Sequence, residues 1–179
     1  MDRALERWIT SKDGESWLLR PIRPSDADSL VRGYDALSSE AKRFRLLGAR
    51  AHLTEEMARE FCSPDPERVV CLVVEGQGPL AGEIVAGARA NDVAPGEWAE
   101  FSVSARPEVE GTGLARQSLE AVIEEARRRG AKGVWGSISD RNAPMLGLAR
   151  RLGMKVGNDR DDWALETAEL SFDGSSRPT

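Results

Sequence analysis

The chain is poor in the side chains that most often carry chemistry, with 2 cysteines, 1 histidine and 1 tyrosine among 179 residues. Cys62 and Cys71 lack Cys-x-x-Cys spacing, which suits neither a metal site nor the framework of a secreted domain, and they read as buried, inert thiols. His52 is the sole histidine, so a His-centred triad or a multi-histidine metal site would have to be built around it, and it stands in a charged, helical-looking stretch that reads as surface. No metal is expected, and general-base work falls to a carboxylate or to water. No stretch approaches the roughly 20 apolar residues of a membrane span, and residues 1–20 hold no long apolar run, so the expected location is the cytoplasm, without a membrane partner. Excess positive charge is missing too: 25 Lys plus Arg against 30 Asp plus Glu leave a net of −5, which argues against a nucleic-acid partner.

What is present suffices for one domain with a sizeable core, since 40% of the residues are hydrophobic. A first strand is expected over 16–22, and Pro24-Ser25-Asp26 starts a helix over 27–36. Ser38 or Ser39 caps a second helical segment containing Arg43, Phe44, Leu46 and Leu47, and Thr54 with Glu55 and Glu56 caps another that runs to Phe61. Residues 69–75 and 80–91 read as antiparallel strands joined at Gly76-Gln77-Gly78-Pro79. In the strand over 97–105, Phe101, Val103 and Ala105 face one way and Glu100, Ser102 and Ser104 the other. A long helix over 113–129 carries Leu119, Val122, Ile123 and Ala126 on one stripe and ends at Gly130. A short strand over 133–138 follows, then a helix capped by Asn142 with Pro144 in its first turn, and a last strand over 163–172. Trp98, Trp135 and Trp163 fall in strands as core or interface aromatics. There is no internal repeat. The order implies a mixed α/β fold with helices on both faces of the sheet.

Between the polar-edged strand and the long helix lies Glu110-Gly111-Thr112-Gly113-Leu114-Ala115. Two glycines at the start of a helix let backbone N–H groups converge on one anion, where the helix dipole adds partial positive charge. A diphosphate matches that description, although a tight turn that binds nothing also uses such glycines.

Strand, Glu-Gly-Thr-Gly-Leu-Ala turn, long helix, short strand, then Asn-x-x-Met-Leu-x-Leu-Ala-Arg-Arg-Leu-Gly-Met resembles the GNAT superfamily of acyl-CoA-dependent N-acetyltransferases. The superfamily's acetyl-CoA signature is Gln or Arg, two residues, Gly, one residue, Gly or Ala, and Glu110, Gly113 and Ala115 occupy those places. Glu110 departs from the pattern, and a carboxylate there either points away from the diphosphate or weakens binding. Within the superfamily the chain is most similar to bacterial Pat-type protein lysine acetyltransferases, through Leu19-Arg20-Pro21-Ile22-Arg23-Pro24-Ser25-Asp26-Ala27, Leu37-Ser38-Ser39-Glu40 through Arg45, Ala99-Glu100-Phe101-Ser102-Val103, and the stretch from Asn142 to Gly153. The resemblance implies a GNAT-like mixed, mostly antiparallel sheet of six or seven strands over 16–172. Residues 1–15 are an extension and 173–179 a frayed polar tail.

It implies acetyl-CoA as cosubstrate and a primary amine, such as a protein lysine, as acceptor. Glu100 stands ten residues before Glu110, where Pat-like enzymes carry their catalytic glutamate, and is the expected general base. The pantetheine arm is expected along the backbone of Val103, Ser104 and Ala105, with the diphosphate on the amides of Gly111, Thr112, Gly113, Leu114, Ala115 and Arg116. Thr112 and Arg116 are candidate side-chain helpers, and Asn142 lies near the pantetheine or simply caps its helix. The tyrosine general acid of many members has Ala149 in its place, and Tyr34 lies far away in sequence. Lys42, Arg43 and Arg45 either contact an acidic protein substrate or face solvent, and Arg127, Arg128 and Arg129 cap a helix and face solvent. Two other readings stand beside protein lysine: a small-amine acceptor (polyamine, amino acid or antibiotic), or a catalytically weak acyl-CoA-binding module. Small transferases of this type often form homodimers.

Overall fold

The computed structural model describes residues 5–36, 53–159 and 161–178. The segment expected from Ser38 or Ser39, with Lys42, Arg43, Phe44, Arg45, Leu46 and Leu47, lies outside the described residues, as does His52. Eight strands form one sheet: β1 (Arg7–Thr10), β2 (Ser16–Pro21), β3 (Val70–Glu75), β4 (Ile84–Asn91), β5 (Trp98–Ala105), β6 (Gly133–Ser139), β7 (Lys155–Asn158) and β8 (Leu165–Ser171). Their order across it is β1-β2-β3-β4-β5-β6-β8-β7. Every neighbouring pair is antiparallel except β5 with β6.

Eight strands exceed the expected six or seven because both outer strands escape pattern reading. β1 pairs with β2 and lies inside the stretch expected as an extension, while β7 is four residues long and almost wholly exposed, so neither shows a long alternation. β4 starts at Ile84 rather than Leu80, because Gly78–Leu80 forms a 3-10 turn.

Two helical layers flank the sheet. Helix α1 (Ala27–Asp35) follows a 3-10 turn at Pro24–Asp26, and α2 (Glu55–Phe61) is capped by Thr54, whose hydroxyl accepts the Met57 N–H. Together they bury Ile22, Ala27, Ala58, Cys62, Cys71 and Val73 on one face. On the other face lie α3 (Leu114–Arg128) and α4 (Ala143–Arg151). Leu114, Leu119, Val122 and Ala126 of α3 join Leu72, Val74, Ala86, Ala88, Ala90, Ala99 and Phe101 in the main core. β3 is therefore apolar at nearly every position, because both of its faces are covered.

Among the described residues, one face of β5 carries exposed Glu100 and Ser102, and the neighbouring β6 and β8 place Trp135 and Glu169 on it. Trp163, expected in a strand, stands in the turn before β8 and is 88% exposed. The tail expected to fray lies across this face instead: the Arg177 guanidinium sits 4.1 Å from the Trp135 ring centroid and pairs with Glu169 at 2.8 Å. A cleft of about 620 Å³ lies beneath it, lined by Trp98, Lys155, Thr167 and Glu169 among others.

Candidate active site

β5 and β6 run parallel but pair at only three positions, Trp98 with Gly133, Ala99 with Val134 and Glu100 with Trp135. Past Glu100, β5 keeps β4 as its partner up to Ala105, and β6 keeps β8. Residues 103–105 thus have one backbone edge without a strand partner, at the carboxyl ends of two parallel strands. Crevices of that kind are where ligands enter open α/β sheets. At Gly136, one position past the last pair, a methyl group would come within 3.0 Å of the Phe101 carbonyl oxygen, so glycine lets the two strands lie this close.

Glu100 projects from the exposed, polar side of β5 at this fork, with Asn91 of β4 and Trp135 of β6 as register partners. Phe101 on the opposite side is buried, so the predicted alternation holds. Arg89, which sequence reasoning passed over, lies one register step away opposite Ser102. It donates to the Asn91 side chain at 2.7 Å and to the Phe61 carbonyl at 3.0 Å, pinning α2 to the same face. Its signal was available: a charge on the polar side of an otherwise apolar strand.

The exit of β5 is anchored by Arg106, which donates to the Ile84 carbonyl at 2.9 Å and to Glu83 at 2.6 Å. Glu83 is itself held below the usual carboxylate range: burial pushes the other way but is outweighed by hydrogen bonds from Arg32 and Ser29 and by the charges of Arg32 and Arg106. A 3-10 turn at Pro107–Val109 follows, then Glu110, which is exposed. Gly111 and Gly113 adopt φ of 79° and 88°, which any side chain would disfavour. Gly113 is the helix N-cap and brings no side chain to accept from the first turn. Among the described residues, no backbone carbonyl accepts from Gly111, Gly113, Leu114, Ala115 or Arg116, which leaves a set of donors around the loop.

The side chains named as helpers have other partners: the Thr112 hydroxyl donates to the Val109 carbonyl at 2.6 Å, and Arg116 donates to Glu120 at 2.9 Å. Asn142, just past β6 on the far side of the fork, accepts the Met145 N–H at 3.2 Å as a helix cap. Ala149 is fully buried, and Tyr34 is buried in α1. Arg128 and Arg129 both bind buried Glu125, and Arg127 lies over the Phe172 ring, so this basic run is partly engaged rather than simply solvated. Trp98, expected as a core or interface aromatic, is half-buried on the side of β5 that carries Glu100, and its indole lies against Gly133. Among the described residues, no group of three or more His, Cys, Asp or Glu is placed to hold a metal ion, and no helix is long and apolar enough to cross a membrane.

This geometry agrees with what the chain is similar to. The model of the acetyltransferase (GNAT) domain matches residues 17–155. An L-methionine sulfoximine/L-methionine sulfone acetyltransferase of Pseudomonas aeruginosa is 39% identical over 80 residues, covering 42% of this chain and 46% of that protein. The chain thus spans under half the length of the first curated relatives it matches. The GNAT domain of S. lividans PAT superposes with a TM-score of 0.86 at 24% identity over 96% of this chain and 99% of that one. An acetyltransferase fold from Salmonella typhimurium, solved with its cofactor acetyl-CoA, superposes at 0.65 with 22% identity, over 92% and 99%. With the forked parallel pair and the unpaired loop amides on the same strand and turn, the chain belongs to the GNAT family.

Proposed function

We propose that this protein is an acetyl-CoA-dependent N-acetyltransferase that transfers acetyl directly to a protein lysine, with Glu100 as general base, the edge of residues 103–105 holding the pantetheine arm and the amides of Gly111 and residues 113–116 holding the diphosphate, the expected Thr112 amide being bonded instead to the Val109 carbonyl at 3.3 Å. The observation that carries the reading is the position of Glu100: an exposed carboxylate on β5 at the last residue that β5 pairs with β6, ten residues before Glu110. When bound, acetyl-CoA supplies a thioester whose acetyl carbon bonds to the acceptor nitrogen as its bond to sulfur breaks. A lysine of pKa about 10.4 is neutral to only about one part in a thousand near pH 7.4, so its proton must be taken up. Glu100 accepts it, directly or through one water, and water returns a proton to the thiolate, since Ala149 offers no donor.

Protein lysine as acceptor is supported by the likeness to the S. lividans PAT domain. A free amino acid is the second reading, favoured by the 39% match to the methionine sulfoximine enzyme. Isotopically labelled acetyl-CoA given with a proteome, and separately with methionine sulfoximine, decides between them by where label accumulates. Label on neither, with acetyl-CoA bound, would identify a non-catalytic binding module. Glu100→Gln is expected to lower kcat about a hundred- to ten-thousandfold with the dissociation constant for acetyl-CoA unchanged. An undiminished kcat would overturn the base assignment.

A further inference from the structure

We infer that Lys12, at the tip of the β1–β2 hairpin, binds the diphosphate of acetyl-CoA and supplies the positive charge that Glu110 does not. The inference rests on the reading that the loop after β5 holds the diphosphate. Lys12 is five residues upstream of the stretch that matches the family model, so nothing in the motif points to it.

The hairpin is built to hold Lys12 against that loop. Ser11 and Glu15 close it through a 2.9 Å backbone bond, and the Gly14 N–H donates to the Ser11 carbonyl at 3.0 Å, a tight turn with Lys12 at its first corner. The Lys12 N–H donates to the Thr112 carbonyl at 2.9 Å, and Gln117 of α3 reaches back to the Thr10 carbonyl at 2.9 Å. The hairpin, through Thr10 and Lys12, and the start of α3, through Thr112 and Gln117, are thereby locked together across about a hundred positions of sequence. The lysine stem runs along Gly113: a methyl group placed there would meet Cγ at 3.6 Å and Cε at 3.7 Å.

Charge supports the assignment. Lys12 is exposed, and among the described residues no carboxylate lies within salt-bridge distance of its ammonium. Its neighbour Asp13 is turned back onto the Ser11 hydroxyl. Of the loop's own candidates, Thr112 is bonded to Val109, Arg116 to Glu120, and Glu110 carries the wrong sign. Among the described residues Lys12 is therefore the cation left beside the unpaired amides, and a diphosphate there would receive a charge-assisted bond from a compact, flexible ammonium.

The test measures dissociation constants by calorimetry for wild type, Lys12→Ala and Lys12→Arg, with acetyl-CoA, with its analogue lacking the 3′-phosphate, and with S-acetylpantetheine, which has no phosphate. Lys12→Ala is expected to weaken both diphosphate-bearing donors about five- to thirtyfold and to leave S-acetylpantetheine unchanged, with Lys12→Arg restoring most of the loss. Equal weakening of all three donors would mean that Lys12 only props the loop and would overturn the inference. A loss confined to the donor carrying the 3′-phosphate would overturn it as well. If wild type itself bound acetyl-CoA no better than S-acetylpantetheine, the loop reading would fall and take Lys12 with it, whereas a discriminating wild type matched by Lys12→Ala sinks the inference alone.

Discussion

At the scale of single residues, buried titratable groups such as Glu125 serve the fold. Glu125 is 3% exposed inside α3, and bonds from Arg128, opposed by burial and reinforced by Arg129, hold its pKa below the usual carboxylate range. Because the folded value is depressed, the stabilisation is complete above the unfolded pKa of about 4.3 and fades as pH falls through the folded value. Glu125→Gln is expected to lose about 2 kcal/mol near neutral pH, with the gap to wild type closing below about pH 4 in urea titrations. Burial also raises the thiols, Cys62 to about 11 and Cys71 to about 12, with the neighbouring Arg89 pulling both down slightly. Neither should react with iodoacetamide at pH 8 until the protein unfolds, and quantitative alkylation of the native protein would contradict their placement. Inertness of the thiols could be read from sequence spacing, but Glu125 could not, since nothing local distinguishes a buried glutamate from a solvated one.

At the scale of elements, β6 shows how a glycine sets a sheet's geometry. Gly133 has the Leu170 carbonyl oxygen and Trp98 Cζ3 each at 2.5 Å from where a methyl group would stand, so a side chain there would push β8 or the indole away. Gly133→Ala is expected to cost about 1–3 kcal/mol, read as a lower urea midpoint, and acetyl-CoA affinity should change little because the fork opens farther along the strand. Internal helices and strands were legible because their periods of 3.6 and 2 extend over enough residues: α3 with Leu119, Val122 and Ala126, and β5 with Ala99 and Phe101 set against Glu100. The outer strands were not. β1 has only Ile9 buried among its four residues, although Asp13-Gly14 before the next strand was an available turn signal.

For the molecule as a whole, segments near both ends of the chain pack back against the sheet and its loops. The N-terminal hairpin docks on the loop after β5, and the tail is held over β6 by Trp135 and Glu169. Arg177→Ala should free the tail, raising hydrogen exchange of residues 173–178 about five- to tenfold while leaving β8 protected; unchanged exchange would show that other contacts hold it. By itself the sequence determined the hydrophobic periods, the glycine turn ahead of α3, the cap of α4 and the acidic residue on the polar edge of β5, because each is a property of neighbours in the chain. Only the tertiary structure decided that β5 and β6 separate after three pairs, that Lys12 lies beside Gly113, and that Arg89 and Glu100 share a face. Those outcomes depend on register between segments up to about a hundred residues apart, and register is fixed by how the two buried faces of the sheet pack, which no local pattern encodes.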